Sequence, residues 1–187
     1  RALVDWLTIE RERTVPFEVE FTEEPLDWHC EGLTLGLKAD RVDRLACGHR
    51  VVIDYKSGGS SRVSDWCEIP LKAPQLPCYS QALSDVVTIT IAKVGAEDVG
   101  FNTLGDDIGV LVTDRKSQKA LLSADVSSLS ELSNQWTEAL TSLVQSFVAG
   151  EAVPTPSASA CRYCDYAPVC RAHLLESVAQ TGSASDE

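Results

Sequence analysis

The chain has 187 residues, 16 of them Lys or Arg and 28 Asp or Glu, for a formal net charge of −12. That length suffices for one domain with a real core, and no apolar run reaches the roughly 18 residues of a membrane-spanning helix. The acidic balance excludes a domain coated in basic residues for general nucleic-acid binding, because phosphate contacts need Lys and Arg.

The chain starts at Arg1 and contains no methionine, so it reads as a piece of a longer protein. Ala2 to Arg13 is predicted as an amphipathic helix, with Leu3, Trp6, Leu7 and Glu10 at helical spacing, Glu10 solvated, and Pro16 as the stop. Phe17, Val19 and Phe21 alternate with Glu18, Glu20 and Thr22, the pattern of a half-buried strand. Glu23 to Gly32 reads as a turn region in which His29 and Cys30 have no partners at ligand spacing. Leu33 to Leu45 and Arg50 to Tyr55 then form a predicted hairpin with Cys47-Gly48-His49 at its turn and His49 exposed. Gly58 to Pro74 is a polar connection, within which Trp66 either stacks on an unpaired base or packs back over the sheet. A helix is predicted from Gln75, since Pro74 and Pro77 are tolerated only in a first turn. Val86 to Val94 and Ile108 to Thr113 read as strands. Leu129 to Val148 reads as a long helix with Leu132, Trp136, Leu140, Leu143 and Phe147 on its core stripe, ended by Gly150. Pro154, Pro156 and Ser157 to Ala160 make a linker.

Two stretches carry chemistry. In a strand over Val51 to Lys56, Val52, Asp54 and Lys56 share one face and Val51, Ile53 and Tyr55 the other, because side chains alternate. Asp40 on the preceding strand reaches the Asp54 face if the strands pair, whereas Asp43 points to the opposite face as a structural or ion-paired residue. Two carboxylates suit Mg²⁺, a hard cation that takes oxygen ligands, and Lys56 beside them can orient water or offset phosphate charge. Taken by itself, Asp54-x-Lys56 also fits a plain surface ion pair. Gln75 and Tyr79, at i and i+4, share a helix face beyond it. The second stretch is Cys161-x2-Cys164-x5-Cys170, thiols spaced for a soft metal or an iron–sulfur cluster, with zinc as the rival. Seven cysteines, three of them clustered, fit a reducing cytoplasm and a metal centre better than a disulfide framework.

Ala39-Asp40-Arg41-Val42-Asp43, then Val52-Ile53-Asp54-Tyr55-Lys56-Ser57-Gly58, then Gln75-Leu76-Pro77-Cys78-Tyr79 resembles the RecB-type nuclease branch of the PD-(D/E)XK superfamily. Within it the likeness is to the C-terminal nuclease domain of AddB-type subunits of bacterial helicase–nuclease complexes, and it runs from Trp6 to Cys170. The family's glycine three residues before the first aspartate is replaced by Leu37, with Gly36 beside it. The resemblance implies an α/β restriction-endonuclease-like core, a central mixed sheet flanked by helices, with a C-terminal cysteine-bearing segment. It divides the chain into a nuclease core over 1–153, an iron–sulfur segment over 154–176 and a disordered tail over 177–187. It implies Mg²⁺ or Mn²⁺ held by Asp40, Asp54 and the backbone carbonyl of Tyr55, with Lys56, Gln75 and Tyr79 completing the catalytic set. Glu20 is the nearest match to a strand glutamate of the family.

The same resemblance gives Cys161, Cys164 and Cys170 to a 4Fe–4S cluster whose fourth cysteine lies upstream of Arg1, as does the family's histidine ligand. None of His29, His49 or His173 fits that context, and Cys30 is a distant substitute for the fourth cysteine. The cluster is therefore expected in the intact protein and absent or incomplete in this piece, which is itself expected to be short of activity. The implied partners are DNA and a helicase subunit, with no membrane, in the cytoplasm. The implied activity is exonucleolytic cleavage during double-strand break repair. A catalytically silent DNA-binding or scaffolding module and a small zinc-binding interaction domain are the alternatives.

Overall fold

A computed structural model of the chain describes residues 1–58, 62–96, 98–106, 111, 116–153, 161–162 and 164–170. Two compact units divide it, Arg1–Gln145 and Ser146–Glu187. In chain order the first contains α1 (Ala2–Arg11), β1 (Phe17–Thr22), β2 (Pro25–Cys30), β3 (Leu33–Lys38), β4 (Arg41–Leu45) and β5 (Arg50–Lys56). A 3₁₀ turn (Val63–Trp66), α2 (Gln75–Ala82), β6 (Val86–Val94), β7 (Val99–Gly105), α3 (Lys116–Ser123) and α4 (Leu129–Val148) follow. The described part of the second unit holds the end of α4 and a four-residue helix, α5 (Ala167–Cys170).

Five strands form a mixed sheet in the order β1-β4-β5-β6-β7. Only β5 and β6 run parallel; the other neighbours are antiparallel. A parallel pair needs a crossover, and the segment with the 3₁₀ turn and α2 supplies it. Alternation sorts the strand residues between two cores. On one face Val42, Val52, Ile89, Ile91 and Leu104 pack with Trp66, with Leu76 and Tyr79 of α2, and with Leu132, Trp136 and Leu140 of α4. On the other, Leu45, Val51, Ile53 and Ala92 pack with Trp6 of α1 and with Leu111. The mixed sheet and its helices match the α/β architecture expected from the sequence.

Several local expectations give way to tertiary pairing. Glu23 to Gly32 is not a turn region: β2 pairs along its whole length with β3 as a separate two-stranded hairpin. Its turn residues Glu31 and Gly32 have φ of 47° and 79°, the left-handed pair that a tight hairpin needs. Leu33 to Leu45 is therefore two strands, broken at Ala39 and Asp40, and only the second, β4, pairs with β5. Strand β7 escaped prediction because two glycines and an asparagine dilute its β signal. It exists because Val94↔Val99 through Thr88↔Gly105 pair it with β6, and Gly105 fits only without a side chain, since a Cβ there would sit 2.6 Å from the Val87 carbonyl. The expected strand Ile108 to Thr113 lies outside the described residues except for Leu111, which is buried at a bend.

Helix α1 ends at Arg11 and buries Trp6 alone, leaving Leu3 and Leu7 exposed. Glu10 is not solvated; it pairs with Arg13 at 2.8 Å and Arg41 at 2.9 Å. On α4 the buried stripe is Leu129, Leu132, Trp136, Leu140 and Val144, so Leu143 and Phe147 are exposed rather than core. Leu143 and Phe147 keep the helical period of that stripe, but a shared period sets a common face and not whether anything covers it. Trp66 is 1% exposed, and its carbonyl accepts a 2.7 Å hydrogen bond from Trp136 Nε1. Burial decides for packing and against base stacking.

Candidate active site

The β4–β5 ladder pairs Arg41 with Ile53 and Val42 with Val52, so continuing it by one residue sets Asp40 opposite Asp54. The Tyr55 backbone N–H donates to Asp40 Oδ2 at 2.8 Å, which fixes that carboxylate at the strand end. Asp54, only 1% exposed, is covered from the large-core face by α2, whose first turn carries Gln75. Gln75 Nε2 donates to Asp54 Oδ1 at 3.0 Å and to the Tyr79 hydroxyl at 2.8 Å, while Gln75 Oε1 accepts from Lys56 Nζ at 3.4 Å. The Lys56 ammonium stands 2.8 Å from Asp54 Oδ2 as an ion pair. That oxygen is buried and receives no hydrogen bond of good geometry. Asp40, Asp54, Lys56, Gln75 and Tyr79 are thus brought together at one end of the parallel strand pair.

Burial raises the Asp54 pKa, and the nearby Asp40 charge pushes the same way against the opposing pull of Lys56. The close contact with the Asp54 carboxylate raises the Lys56 pKa, so Lys56 is a firmly protonated cation at neutral pH. Such a group stabilises charge growing on a phosphate; it does not abstract a proton from water.

The remaining candidates lie elsewhere. The Tyr55 ring is on the opposite face, 5.8 Å from the Trp6 ring, with its hydroxyl accepting from Arg41 Nη1 at 3.1 Å. Asp43 is on that face too, wholly buried, and accepts from Arg13 Nη1 at 2.7 Å and Arg41 Nε at 2.6 Å. Glu20 is held by Arg50 and Arg44, and the Arg50 hydrogen bond brings its pKa down to about 2; it is a structural anion away from the Asp54 cluster. His29 is exposed and bonded to Thr34 Oγ1 at 2.9 Å, His49 is exposed, and His173 lies outside the described residues. Cys30 is half-buried, its Sγ 3.7 Å from Thr141 Oγ1. Cys161, Cys164 and Cys170 are exposed free thiols. Among the described residues no group of three His, Cys, Asp or Glu side chains is gathered for a metal ion, so the three cysteines are not a preformed cluster site.

The family model described as the PD-(D/E)XK nuclease superfamily matches residues 1–171. The chain belongs to that superfamily. Its five-stranded mixed sheet flanked by helices is the corresponding restriction-endonuclease-like core. SSO0001, a protein of known crystal structure, is similar to this chain at 12% identity with a TM-score of 0.42, over 91% of this chain and 67% of its own. No curated protein matches. Among the described residues no helix is long and apolar enough to cross a membrane.

Superfamily members typically use Mg²⁺ or Mn²⁺, and the donors at this site fit such an ion. Two carboxylates stand at one strand end, one of them with a buried oxygen whose sole near partner is the Lys56 ammonium, and an oxygen-rich, water-supplemented shell is what these hard cations take. Sequence reasoning overlooked one neighbour of the site. Lys93 is in register with Lys56 on the adjacent strand, and its signal was a single charge in the apolar run Val86–Val94.

Proposed function

We propose that this chain cleaves DNA phosphodiester bonds with Mg²⁺ or Mn²⁺ held by Asp40, Asp54 and the Tyr55 carbonyl. The observation that carries the reading is the buried Asp54 carboxylate, with one oxygen fixed by Gln75 and the other facing only an ammonium. When bound, the metal ion supplies a Lewis acid for the phosphate and lowers the pKa of a coordinated water. Asp40 and Asp54 orient their oxygens through the Tyr55 N–H and the Gln75 amide. Lys56 keeps its proton and offsets charge developing on the phosphate oxygens. Tyr79 holds Gln75 in its bridging rotamer from within the core.

We further assign an exonucleolytic mode beside a helicase subunit in break repair, on the motif order that resembles AddB-type nuclease domains. In this assignment residues 1–153 form the nuclease core and 154–176 a segment whose Cys161, Cys164 and Cys170 take a 4Fe–4S cluster once a fourth ligand joins them. A second reading, a catalytically silent DNA-binding scaffold, is favoured by the lack of any third acidic, histidine or cysteine ligand beside Asp40 and Asp54 among the described residues.

One assay, made on the intact protein, separates the two. Labelled single- and double-stranded DNA is incubated with Mg²⁺ or EDTA and with wild type, Asp54→Ala or Lys56→Ala. The enzyme reading expects Mg²⁺-dependent cleavage that disappears in both variants while their circular dichroism stays native. Full activity in either variant refutes the site, and binding without cleavage by folded wild type supports the scaffold.

A further inference from the structure

The catalytic face carries a second cation. Lys93, the one charged residue of β6, pairs in register with Lys56 across the parallel ladder, and registered partners project to the same face. Lys56 is engaged by Asp54, whereas Lys93 Nζ is held 2.7 Å from Asp98 Oδ2, a carboxylate just before β7. The Lys93 side chain is 23% exposed and that of Asp98 68%. A groove is lined by Lys56, Ser57, Gly58, Lys93, Gly95 and Asp98, so it includes both lysines. Gly95 brings bare backbone to its lining. The Gly95 N–H donates to the Asp98 carbonyl at 3.0 Å, and a Cβ on Gly95 would meet the Asp98 and Ser57 carbonyls at 3.2 and 3.3 Å.

We infer that this groove seats a phosphate of the bound DNA strand, next to the phosphate undergoing cleavage, with Lys93 as the receiving cation. The inference rests on the nuclease reading above. A chain of net charge −12 repels a polyanion, so cations at the site must be placed where the strand passes. Lys93 is suitably placed: a flexible ammonium beside Lys56, tied to a partner that is mostly in water. An exposed ion pair of that kind adds little to stability, so a phosphate can replace the Asp98 carboxylate at small cost. Asp98 then acts as a counter-anion that keeps the seat neutral until DNA arrives.

The test measures binding and turnover separately on the full chain. Fluorescence anisotropy in EDTA gives the affinity for a labelled single-stranded oligonucleotide as a function of KCl, for wild type, Lys93→Ala, Lys93→Gln, Lys93→Arg and Asp98→Asn. Loss of one phosphate contact reduces the slope of log K against log salt by about 0.7 for a single strand, and weakens binding alike on all sequences. Lys93→Ala and Lys93→Gln are expected to show that loss, Lys93→Arg to restore the slope, and Asp98→Asn to tighten binding. In Mg²⁺, Lys93→Gln is expected to raise KM with kcat unchanged. Unchanged affinity and slope in folded Lys93→Gln, an effect confined to kcat, or no oligonucleotide binding by wild type each overturns the seat. Failure of the nuclease reading shows separately, as absent Mg²⁺-dependent cleavage by a wild type that still binds with a Lys93-dependent slope.

Discussion

Asp40 and Asp43 stand three residues apart, and replacing each is expected to break a different property. Asp43 is completely buried between Arg13 Nη1 at 2.7 Å and Arg41 Nε at 2.6 Å. The Arg13 side chain is wholly buried and that of Arg41 is 12% exposed, so Asp43→Ala strands two guanidinium groups away from water. Breaking a buried pair costs about 3–5 kcal/mol. Glu10 stays 2.8 Å from Arg13 and 2.9 Å from Arg41, which places the loss at the lower end, about 3 kcal/mol. For a domain of this size each kcal/mol shifts Tm by about 2–4 °C, so Asp43→Ala should melt about 6–12 °C earlier. Asp40 is half-buried and accepts a single bond from the Tyr55 N–H, so Asp40→Ala costs only about 1 kcal/mol. Its loss removes a ligand from the reaction centre and lowers cleavage by more than about 100-fold. Thermal melts by circular dichroism, with cleavage assayed well below both midpoints, read the two effects apart. A dead but fully stable Asp43→Ala, or an active but unstable Asp40→Ala, refutes the division of labour between the sheet faces.

Gln75→Ala removes the bonds to Asp54 and Tyr79 and the acceptor facing Lys56; it is expected to slow cleavage about 10- to 100-fold and to cost about 1 kcal/mol of stability, and an unimpaired rate argues against a positioning role. Glu20, with its folded pKa down at about 2 against an ordinary 4.5, contributes stability present above pH 4.5 and lost as pH falls toward 2. Urea melts across that window should therefore show Glu20→Gln less stable than wild type at pH 6 and level with it near pH 2, and a gap that stays constant contradicts the linkage. Asp54 has the opposite sign, because burial raises its folded pKa above the unfolded value and its contribution is lost as pH rises through the folded pKa. Asp54→Asn is accordingly expected to be inactive and more stable than wild type at pH 7, with the gain shrinking in acid; a variant less stable at neutral pH contradicts it.

The sequence exposed those parts of the fold whose own residues enforce them. Val86–Val94 and Leu129–Val148 are each long enough, and periodic enough, to declare a strand and a helix to the residue. The β2–β3 hairpin was hidden because Pro25 and a left-handed Glu31-Gly32 turn look like loop chemistry until the pairing of Trp28 with Leu35 is seen. Strand β7 is weak by composition and exists through its neighbour β6. Leu3 and Leu7 follow the helical period yet remain exposed, since periodicity says which residues share a face and not whether anything covers that face.

The site was more legible than the fold around it, and the reason is geometric. Strand alternation alone assigns Asp54 and Lys56 to one face and sends Asp43 to the other, and the β4–β5 register then sets Asp40 opposite Asp54. Nothing local reveals what holds these groups in place. Gln75 reaches Asp54 only because the crossover lays α2 over β5, and Asp43 is buried only because Arg13, thirty positions earlier, folds back onto it. The result is an asymmetric sheet. The α1 side anchors β4 with a buried network of Glu10, Arg13, Arg41 and Asp43. The α2 side holds the buried Asp54 carboxylate between the Gln75 amide and the Lys56 ammonium, 2.8 Å from its Oδ2, an electrostatic setting in which a metal cation can also be held. One face thus uses its charges to hold β4 in place, and the other uses them to position Asp54.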